Sequence, residues 1–264
     1  MSLKKQTEIE KLQDEISRLK AELELLRKSK DSVDAQNTIL FANLSHEFRN
    51  PLNGIMGFAE LLRTGDVSCE DVRTYTNVIE ESGRVLLDIV TDVFDLSKIR
   101  SGQYKLYPES FDLNDMLFEM LMRFRDRAES AGLQLFVENM ISEENIVSSS
   151  PEALGRVLSK LLDNAIKYTK SGWVKMSYED KGNGMLLFKV EDTGIGIQEP
   201  TRSNLFNRFT ELEVSKTRKV SGTGLDLTLC NGLVKLMGGE IWHENREQGG
   251  SIFSFTIKNY QNET

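Results

Sequence analysis

Residues 45–52 read Ser-His-Glu-Phe-Arg-Asn-Pro-Leu and lie within a long stretch of helical periodicity. His46 has polar neighbours and lies off the apolar face, so we expect its side chain to be exposed to solvent. Asn50 follows one helical turn later on the same face, and Pro51 leaves the carbonyl of Glu47 without its helical hydrogen bond. An exposed imidazole is a neutral nucleophile near about pH 7, and Glu47 could accept its proton or hold its tautomer. The segment indicates either an ordinary surface histidine or a nucleophile on a helix.

The helix before this segment has the pattern of a coiled coil. Its apolar residues are spaced alternately by three and four: Ile9, Leu12, Ile16, Leu19, Leu23 and Leu26. In a parallel pair, Glu15 would face Lys20 of the second helix. Glu22 would face Arg27 in the same way. The pattern favours a parallel dimer over a single amphipathic helix packed on its own domain, because the apolar seam is too narrow for an ordinary globular face.

The helical pattern also continues after the segment. Apolar positions run on to Leu62, and residues 65–68 indicate a turn. A second broad apolar face then runs from Val72 to Leu96. We expect the two helices to form a hairpin, and two copies of the hairpin to form a four-helix bundle.

Beyond the second helix the pattern changes to alternating helices and strands. Ser101-Gly102-Gln103 ends that helix, and helical patterns follow at residues 113–127 and 153–168. The strand-like runs are Leu133–Val137, Trp173–Tyr178, Met185–Val190 and Ile252–Ile257. This order predicts an α/β sandwich whose helices cover one face of a sheet.

We therefore expect a multidomain chain in which an all-α part precedes an α/β part. The all-α part is a parallel coiled coil, native or fused, followed by a hairpin that becomes a four-helix bundle on dimerisation. The expected boundaries are 1–35 for the coiled coil, 36–100 for the hairpin, 101–110 for a linker and 111–260 for the α/β sandwich.

Two segments of the α/β part carry residues suited to a nucleotide. At the end of one predicted helix, the amide oxygen of Asn164 could bind Mg²⁺, Lys167 could meet a phosphate and Tyr168 could lie against a base. The alternative is a capped amphipathic helix. Asp192 directly follows a strand, and its carboxylate could accept a hydrogen bond from the exocyclic amine of adenine. Gly194 and Gly196 would let the backbone approach a ligand closely, although a simple turn has the same pattern.

Two further segments follow along the chain. Phe206 and Phe209 are spaced as core residues, and Arg208 between them points elsewhere and could clamp a phosphate. The charged stretch 211–219 is either a plain surface connection or a lid over a site. Gly222 and Gly224 enter the next helix and would expose backbone N–H groups to an anion.

The order and spacing of these segments resemble those of the bacterial two-component sensor histidine kinases. Residues 45–52 resemble the phospho-acceptor box of that family, and the hairpin resembles its dimerisation and histidine-phosphotransfer domain. The four later segments resemble the N, first G, F and second G boxes of its Bergerat-type (GHKL) ATP-binding domain. The resemblance runs from about residue 36 to about residue 258. Chaperones, type II topoisomerases and mismatch-repair ATPases share this ATP site but lack the histidine hairpin.

The resemblance implies an ATP-dependent protein-histidine kinase that works as a homodimer. By that resemblance, His46 accepts the γ-phosphoryl group of ATP and passes it to an aspartate of a response regulator. Glu47 would assist the transfer, and Asn50 stands where the family often has Thr or Asn to orient water when the regulator is dephosphorylated. Asn164 would also hold Mg²⁺. ATP would be contacted by Asn164, Lys167, Tyr168, Asp192, Gly194, Gly196, Arg208, Gly222 and Gly224.

The chain departs from the family pattern at three positions. Lys160 stands where the family usually has a second Asn, and Asp226 replaces the last glycine of the second G box. A carboxylate near a triphosphate costs Coulomb energy, although Lys160 and Asp226 could compensate each other as an ion pair across the site. Ser150 replaces an Asp before the N-box helix, where it could still cap the helix. These departures motivate an alternative: a degenerate kinase that serves as a dimeric scaffold or a regulator phosphatase with impaired ATP use.

Composition limits the remaining classes of function. The formal charge of −8 over 264 residues argues against general affinity for nucleic acids. No apolar run approaches the roughly 18 residues that a membrane span needs. Cys69 and Cys230 form no disulfide framework, so we expect a reducing, cytoplasmic setting, alone or as the cytoplasmic part of a membrane receptor. The only other histidine, His243, falls in a strand region and is expected to be a surface or sheet residue.

Overall fold

The computed structural model of the chain describes Glu24 and residues 44–65, 67–138, 145–198, 205–206 and 225–260. The predicted coiled coil therefore lies outside the described residues, apart from Glu24. The same holds for Arg208, Phe209, Gly222 and Gly224 and for the charged stretch 211–219. The coiled coil and these site residues remain predictions.

The hairpin predicted from the apolar pattern is present. Helix α1 spans residues 44–63 and helix α2 spans Cys69–Arg100. Ser68 caps α2, because its hydroxyl accepts the amide of Asp71 at 3.2 Å while the Asp71 carboxylate accepts the Ser68 amide at 3.3 Å. This reciprocal capping box ends the turn and starts the helix. Phe58 and Tyr75 join the two helices through rings whose centroids lie 5.3 Å apart.

One hairpin alone leaves many large apolar side chains in solvent. They lie on both helices: Leu52, Met56, Leu61, Val72, Val85, Leu87 and Phe94. Large apolar side chains exposed in such numbers indicate a surface for contact with other protein. Among the described residues, no helix is both long enough and apolar enough to cross a membrane.

The α/β part contains a five-stranded sheet in the order β2-β4-β5-β7-β6. Its elements are β1 Glu109–Asp112, α3 Leu113–Ser130, β2 Leu133–Glu138, β3 Ile146–Ser149, α4 Pro151–Tyr168, β4 Gly172–Asp180, β5 Met185–Asp192, α5 Leu225–Leu236, β6 Ile241–Asn245 and β7 Ser251–Lys258. Strands β2 and β4 are parallel, and the other neighbours in this sheet are antiparallel. A separate antiparallel pair, β1 and β3, was not predicted, because four residues are too few to show a period.

The core lies between the sheet and the three helices α3, α4 and α5. Helix α4 buries leucines on one face, and Phe188 of β5 stacks on Phe255 of β7 with ring centroids 5.1 Å apart. Alternate residues of β4 are buried, as expected for a sheet with one covered face. The predicted α/β sandwich is confirmed.

Two predictions about single residues need comment. Ser150 occupies the N-cap position of α4, but its side chain makes no capping hydrogen bond, so the prediction that Ser150 caps the helix is wrong. Pro151 at the first helical position instead starts α4, because its backbone angle is already helical. His243 lies on β6 and is buried against Phe253, with ring centroids 4.9 Å apart. It is therefore a sheet histidine.

Candidate active site

Helix α1 presents His46 and Asn50 on its exposed face. The opposite face buries Leu44 and packs Phe48 against the core. The helix continues through Pro51, which is itself buried. His46 is therefore accessible to an incoming group, while the opposite face of α1 is packed against the core. The predicted exposure of His46 is confirmed.

Glu47 is half-buried beside His46, and charges from the α/β part act on it. Burial raises the pKa of the Glu47 carboxyl, and the negative charge of Asp226 raises it further. The cations Lys167 and Lys160 act in the opposite direction. A carboxylate with a raised pKa accepts a proton more readily than an ordinary glutamate, which suits the role of proton acceptor.

The last turns of α4 carry the residues of the first predicted nucleotide segment. Asn164 lies one helical turn after Lys160 and one turn before Tyr168, so the three share a face. Asn164 is partly exposed, and the Lys167 ammonium lies 5.3 Å from the centroid of the Tyr168 ring. An amide oxygen, a cation and an aromatic ring are thus available along one end of α4.

Asp192 lies at the end of β5, next to the strand-like run predicted from the sequence, and its side chain is buried. Its Oδ1 accepts the amide of Gly194 at 2.7 Å and the amide of Ser251 at 3.3 Å. Burial raises the pKa of the Asp192 carboxyl, and these two amides and the charge of Arg246 lower it in part. Because backbone groups hold Oδ1, the orientation of the carboxylate is set before any ligand binds.

Two glycines permit this arrangement through contacts with the chain itself. A Cβ at Gly194 would lie 2.4 Å from the carbonyl oxygen of Tyr168, so only glycine lets the loop meet the end of α4. A Cβ at Gly250 would lie 1.9 Å from the carbonyl oxygen of Asp192, and its φ is +100°. The sequence prediction for Gly194 was that it lets the backbone approach a ligand closely. The structure adds that the loop needs this glycine to pack against α4.

One residue that holds the loop is not recognisable from its sequence context. Asn245, at the end of β6, donates from Nδ2 to the carbonyl of Ile197 at 2.8 Å. Its Oδ1 accepts the amide of Ile197 at 2.9 Å, and a Cβ at Gly196 would lie 3.1 Å from that same oxygen. Asn245 therefore holds the loop that carries Gly196 through two hydrogen bonds to the backbone of Ile197. Nothing in its neighbours distinguishes it from any Asn at a strand end.

The described part of the third predicted segment is anchored in the core. Leu205 is buried, and Phe206 meets Phe253 edge to face with ring centroids 6.3 Å apart. The core position predicted for Phe206 is confirmed.

Lys160 and Asp226, at which the chain departs from the family pattern, form the ion pair that their opposite charges suggested. Lys160 Nζ lies 3.0 Å from Asp226 Oδ1, and it also bonds the carboxylate of Asp92 on α2. Burial lowers the pKa of Lys160, but the carboxylates of Asp226 and Asp92 outweigh burial and raise it. Lys160 therefore remains a cation whose charge is offset by two acids.

Comparison with known proteins agrees with this geometry. Residues 36–102 match the His Kinase A (phospho-acceptor) domain, and residues 149–261 match the Histidine kinase-, DNA gyrase B-, and HSP90-like ATPase family. The autoinducer 2 sensor kinase/phosphatase LuxQ of Vibrio parahaemolyticus is 31% identical over 88% of this chain and 27% of its own length. The signal transduction histidine-protein kinase BarA of Escherichia coli is 33% identical over 89% of this chain and 26% of its own length.

Solved structures give the same result. The histidine kinase AdeS of Acinetobacter baumannii superposes with a TM-score of 0.61 at 27% identity, over 81% of this chain and 98% of that one. The histidine kinase ThkA, in complex with response regulator protein TrrA, superposes with a TM-score of 0.57 at 25% identity, over 83% of this chain and 60% of that one. The chain spans only about a quarter of the length of LuxQ and BarA. With its phospho-acceptor hairpin and its ATP-binding domain, the chain belongs to the two-component sensor histidine kinases.

Proposed function

We propose that the chain is an ATP-dependent protein-histidine kinase that phosphorylates itself on His46. The observation that carries the proposal is the position of His46 on α1. The imidazole is exposed, and the neighbouring Glu47 lies in the field of Lys160, Lys167 and Asp226 from the ATP-binding domain. The acceptor and the groups that would handle ATP therefore meet in one region.

The chemistry is an in-line phosphoryl transfer. A nitrogen of the His46 imidazole forms a bond to the γ-phosphorus, while the bond from that phosphorus to the β–γ bridging oxygen breaks and ADP leaves with the electron pair. The imidazole proton passes to Glu47. Little covalent work remains for the protein, so catalysis consists mainly of positioning and of offsetting charge.

ATP would bind between the end of α4 and the loop after β5. Asp192 would accept a hydrogen bond from the adenine amine, Tyr168 would lie against the base, and Lys167 would meet phosphate. Gly194 and Gly196 shape the loop, and we assign phosphate contacts to Arg208, Gly222 and Gly224 from the sequence alone. A cytoplasmic location follows from this proposal, because ATP is abundant there.

Mg²⁺ fits the residues present. It usually keeps several waters and takes one or two protein oxygens together with phosphate oxygens, so the Asn164 amide oxygen suffices as its protein ligand. The described residues contain no cluster of three or more acidic, His or Cys side chains that would hold a metal without a nucleotide. When bound, Mg²⁺ supplies positive charge to the phosphates.

Incubation with γ-labelled ATP and Mg²⁺ tests the kinase proposal. The chain should acquire acid-labile label, and His46→Gln should remove it while ADP binding stays unchanged. At a labelled-ATP concentration below the wild-type Kd, Asp192→Asn should lower the label at least about tenfold, by loss of nucleotide. Absence of label on the wild-type chain at high protein and Mg²⁺ concentrations, or label that persists in His46→Gln, would contradict the proposal.

We further propose that the chain is a homodimer that passes the phosphoryl group to a response regulator. The apolar side chains exposed on the hairpin supply a surface for a second copy, and the ThkA complex contains a response regulator protein. LuxQ is named as a kinase and a phosphatase, and Asn50 would orient water for the second activity. Transfer of label from the phosphorylated chain to a purified receiver domain tests the first activity. Loss of hydrolysis in Asn50→Ala tests the second.

The alternative is a degenerate kinase that acts as a dimeric scaffold or as a phosphatase. Its motivation is the presence of Lys160 and Asp226, whose charges were expected to disturb the triphosphate and its metal. Because these two residues neutralise each other at 3.0 Å, we favour the kinase. Affinity for ADP with and without Mg²⁺ separates the two functions, since a scaffold would bind neither form.

A further inference from the structure

The ATP-binding domain is tied by ion pairs to helix α2 of its own hairpin. Arg156 of α4 donates from Nη2 to Asp92 Oδ1 at 3.0 Å and also bonds the carboxylate of Asp95. Lys160, one turn further along α4, bonds Asp92 as well as Asp226. These five residues form what we name the interdomain ion cluster.

Burial shows that the interdomain ion cluster is a specific contact. Asp92 is 4% exposed and Asp95 is 6% exposed, although both lie on a helix that is mostly in solvent. Carboxylates are seldom buried to this extent unless they are paired, because the ionised form loses its hydration. Arg156 and Lys160, both on α4 of the same chain, are the partners that reach these acids from the ATP-binding domain, and Lys98 of α2 adds a longer contact to Asp95 at 3.8 Å.

An apolar contact lies beside the interdomain ion cluster. Helix α5 packs against α2, where a Cβ at Gly232 would lie 3.1 Å from Cγ2 and 3.2 Å from Cδ1 of Ile99. Glycine at position 232 therefore lets the two helices approach closely. Ionic and apolar contacts thus hold the ATP-binding domain against the C-terminal end of helix α2 of the same chain.

In this docked arrangement, charges of the ATP-binding domain act on the segment that carries the acceptor of the same chain. Lys160 belongs both to the interdomain ion cluster and to the charges that act on Glu47. Lys167 lies two turns further along α4 and acts on Glu47 as well. The cations that would meet the phosphates of ATP therefore already act on the carboxyl next to His46 on the same polypeptide.

We propose that the ATP-binding domain phosphorylates His46 of its own chain, and that the interdomain ion cluster sets this pairing within the dimer. This inference rests on the proposed kinase function and adds which chain supplies the acceptor. The step balances as for the kinase itself: the γ-phosphoryl group of ATP forms a bond to the imidazole nitrogen of His46, ADP leaves with the electron pair, and the imidazole proton goes to Glu47.

Mixed dimers test the inference. In the first, one chain carries His46→Gln and the other carries Asp192→Asn, so that the intact ATP site and the intact acceptor lie on different chains. In the second, one chain carries both substitutions and the other is wild type. Two different affinity tags allow each mixed dimer to be purified before incubation with γ-labelled ATP. Wild-type, His46→Gln and Asp192→Asn homodimers are run in parallel.

Phosphorylation within one chain leaves the first mixed dimer unlabelled and labels the wild-type chain of the second. Label on the Asp192→Asn chain of the first dimer, with none on the second, would overturn the inference and assign the acceptor to the other chain. A wild-type homodimer without label would instead contradict the kinase proposal itself. The two failures are therefore distinguishable.

Variants of α2 test the role of the interdomain ion cluster. Asp92→Asn with Asp95→Asn should slow labelling by about tenfold, because Arg156 and Lys160 lose the charged acceptors that join them to α2. ADP affinity should stay within about twofold, since neither residue contacts the nucleotide, and this shows that the domain is still folded. Glu80→Gln is the matched control, because it removes an exposed carboxylate of the same helix whose ion pair, among the described residues, is with Arg84. An unchanged labelling rate in the double variant would refute the role of the cluster.

Discussion

Lys160 Nζ and Asp226 Oδ1 lie 3.0 Å apart, which joins α4 to the first turn of α5. These are also the two residues of the nucleotide-binding segments at which the chain departs from its family. Each is unfavourable alone: the cation replaces a neutral amide, and the acid replaces a glycine near phosphate. Together they leave little net charge. We infer that the two departures depend on each other.

A double-mutant cycle measures this dependence. Lys160→Asn leaves Asp226 unpaired, and Asp226→Gly removes one of the two acids that offset Lys160. The double variant loses both members of the pair, so it should be more stable than the sum of the single changes predicts, with a coupling energy of about 0.5–3 kcal/mol. Urea unfolding of the four proteins gives this value. The same cycle on Glu80 and Arg84, which are an exposed pair, should give a much smaller coupling. Additive effects at Lys160 and Asp226 would show that the pair is incidental.

The raised pKa of Glu47 predicts a particular pH dependence of labelling. As the pH falls through that raised pKa, Glu47 becomes protonated and can no longer accept the imidazole proton. The wild-type rate should therefore fall more steeply than the rate of Glu47→Gln, and the ratio of the two should approach one. Both proteins share the titration of ATP and of His46, so the ratio isolates Glu47. A ratio that is independent of pH would contradict its role as proton acceptor.

Asp192→Asn should reduce ADP affinity by about ten- to a hundredfold, because the adenine amine loses a charged acceptor. Affinity for GDP should fall less, so the ratio of ADP affinity to GDP affinity should decrease. Isothermal titration with both nucleotides provides the measurement, and Asn183→Ala, in an exposed turn, is the control. Equal losses for ADP and GDP would mean that Asp192 does not contact the base.

The pH dependence at Asp192 has opposite signs for ligand binding and for folding. Acidification through the raised pKa protonates the carboxylate, so ADP affinity of the wild type should fall while that of Asp192→Asn stays flat. Without ligand, the folded state binds this proton more tightly than the unfolded chain does. The contribution of Asp192 to stability is therefore present at low pH and is lost as the pH rises through the folded-state pKa. Urea unfolding of both proteins as a function of pH measures that difference.

Asn245→Ala should weaken ADP binding by about fivefold, because the loop that carries Gly196 loses both hydrogen bonds at Ile197. Asn245→Asp should also weaken it, since a carboxylate accepts the Ile197 amide but cannot donate to the carbonyl. Stability should change by only about 1 kcal/mol, as the freed groups can bind water. ADP affinity equal to that of the wild type in both variants would show that ADP binding does not depend on the hydrogen bonds between Asn245 and Ile197.

The features that the sequence predicted are those with a local pattern. Helical periodicity predicted both helices of the hairpin and the apolar face of α4, and the strand-like run predicted that Asp192 lies at a strand end, although not that it is buried. The pair β1 and β3 was missed because each strand is four residues long. Asp92 was missed for another reason: its partner Arg156 lies 64 residues away in the sequence. Until the domains are placed together, an acid on an amphipathic helix looks like any solvated charge.

Gly250 and Ser251, which are adjacent, should differ sharply in the substitutions that they accept. Ser251 bonds Asp192 through its main-chain amide, so the identity of its side chain adds nothing to that bond, and other small residues should be accepted there. Gly250 tolerates no such change, because any Cβ would strike the Asp192 carbonyl and separate the ends of β5 and β7. A deep mutational scan selected on kinase output should therefore show a permissive position directly after a forbidden one. The backbone therefore sets the position of the carboxylate proposed to bind the base, and the sequence marks that position chiefly by a glycine.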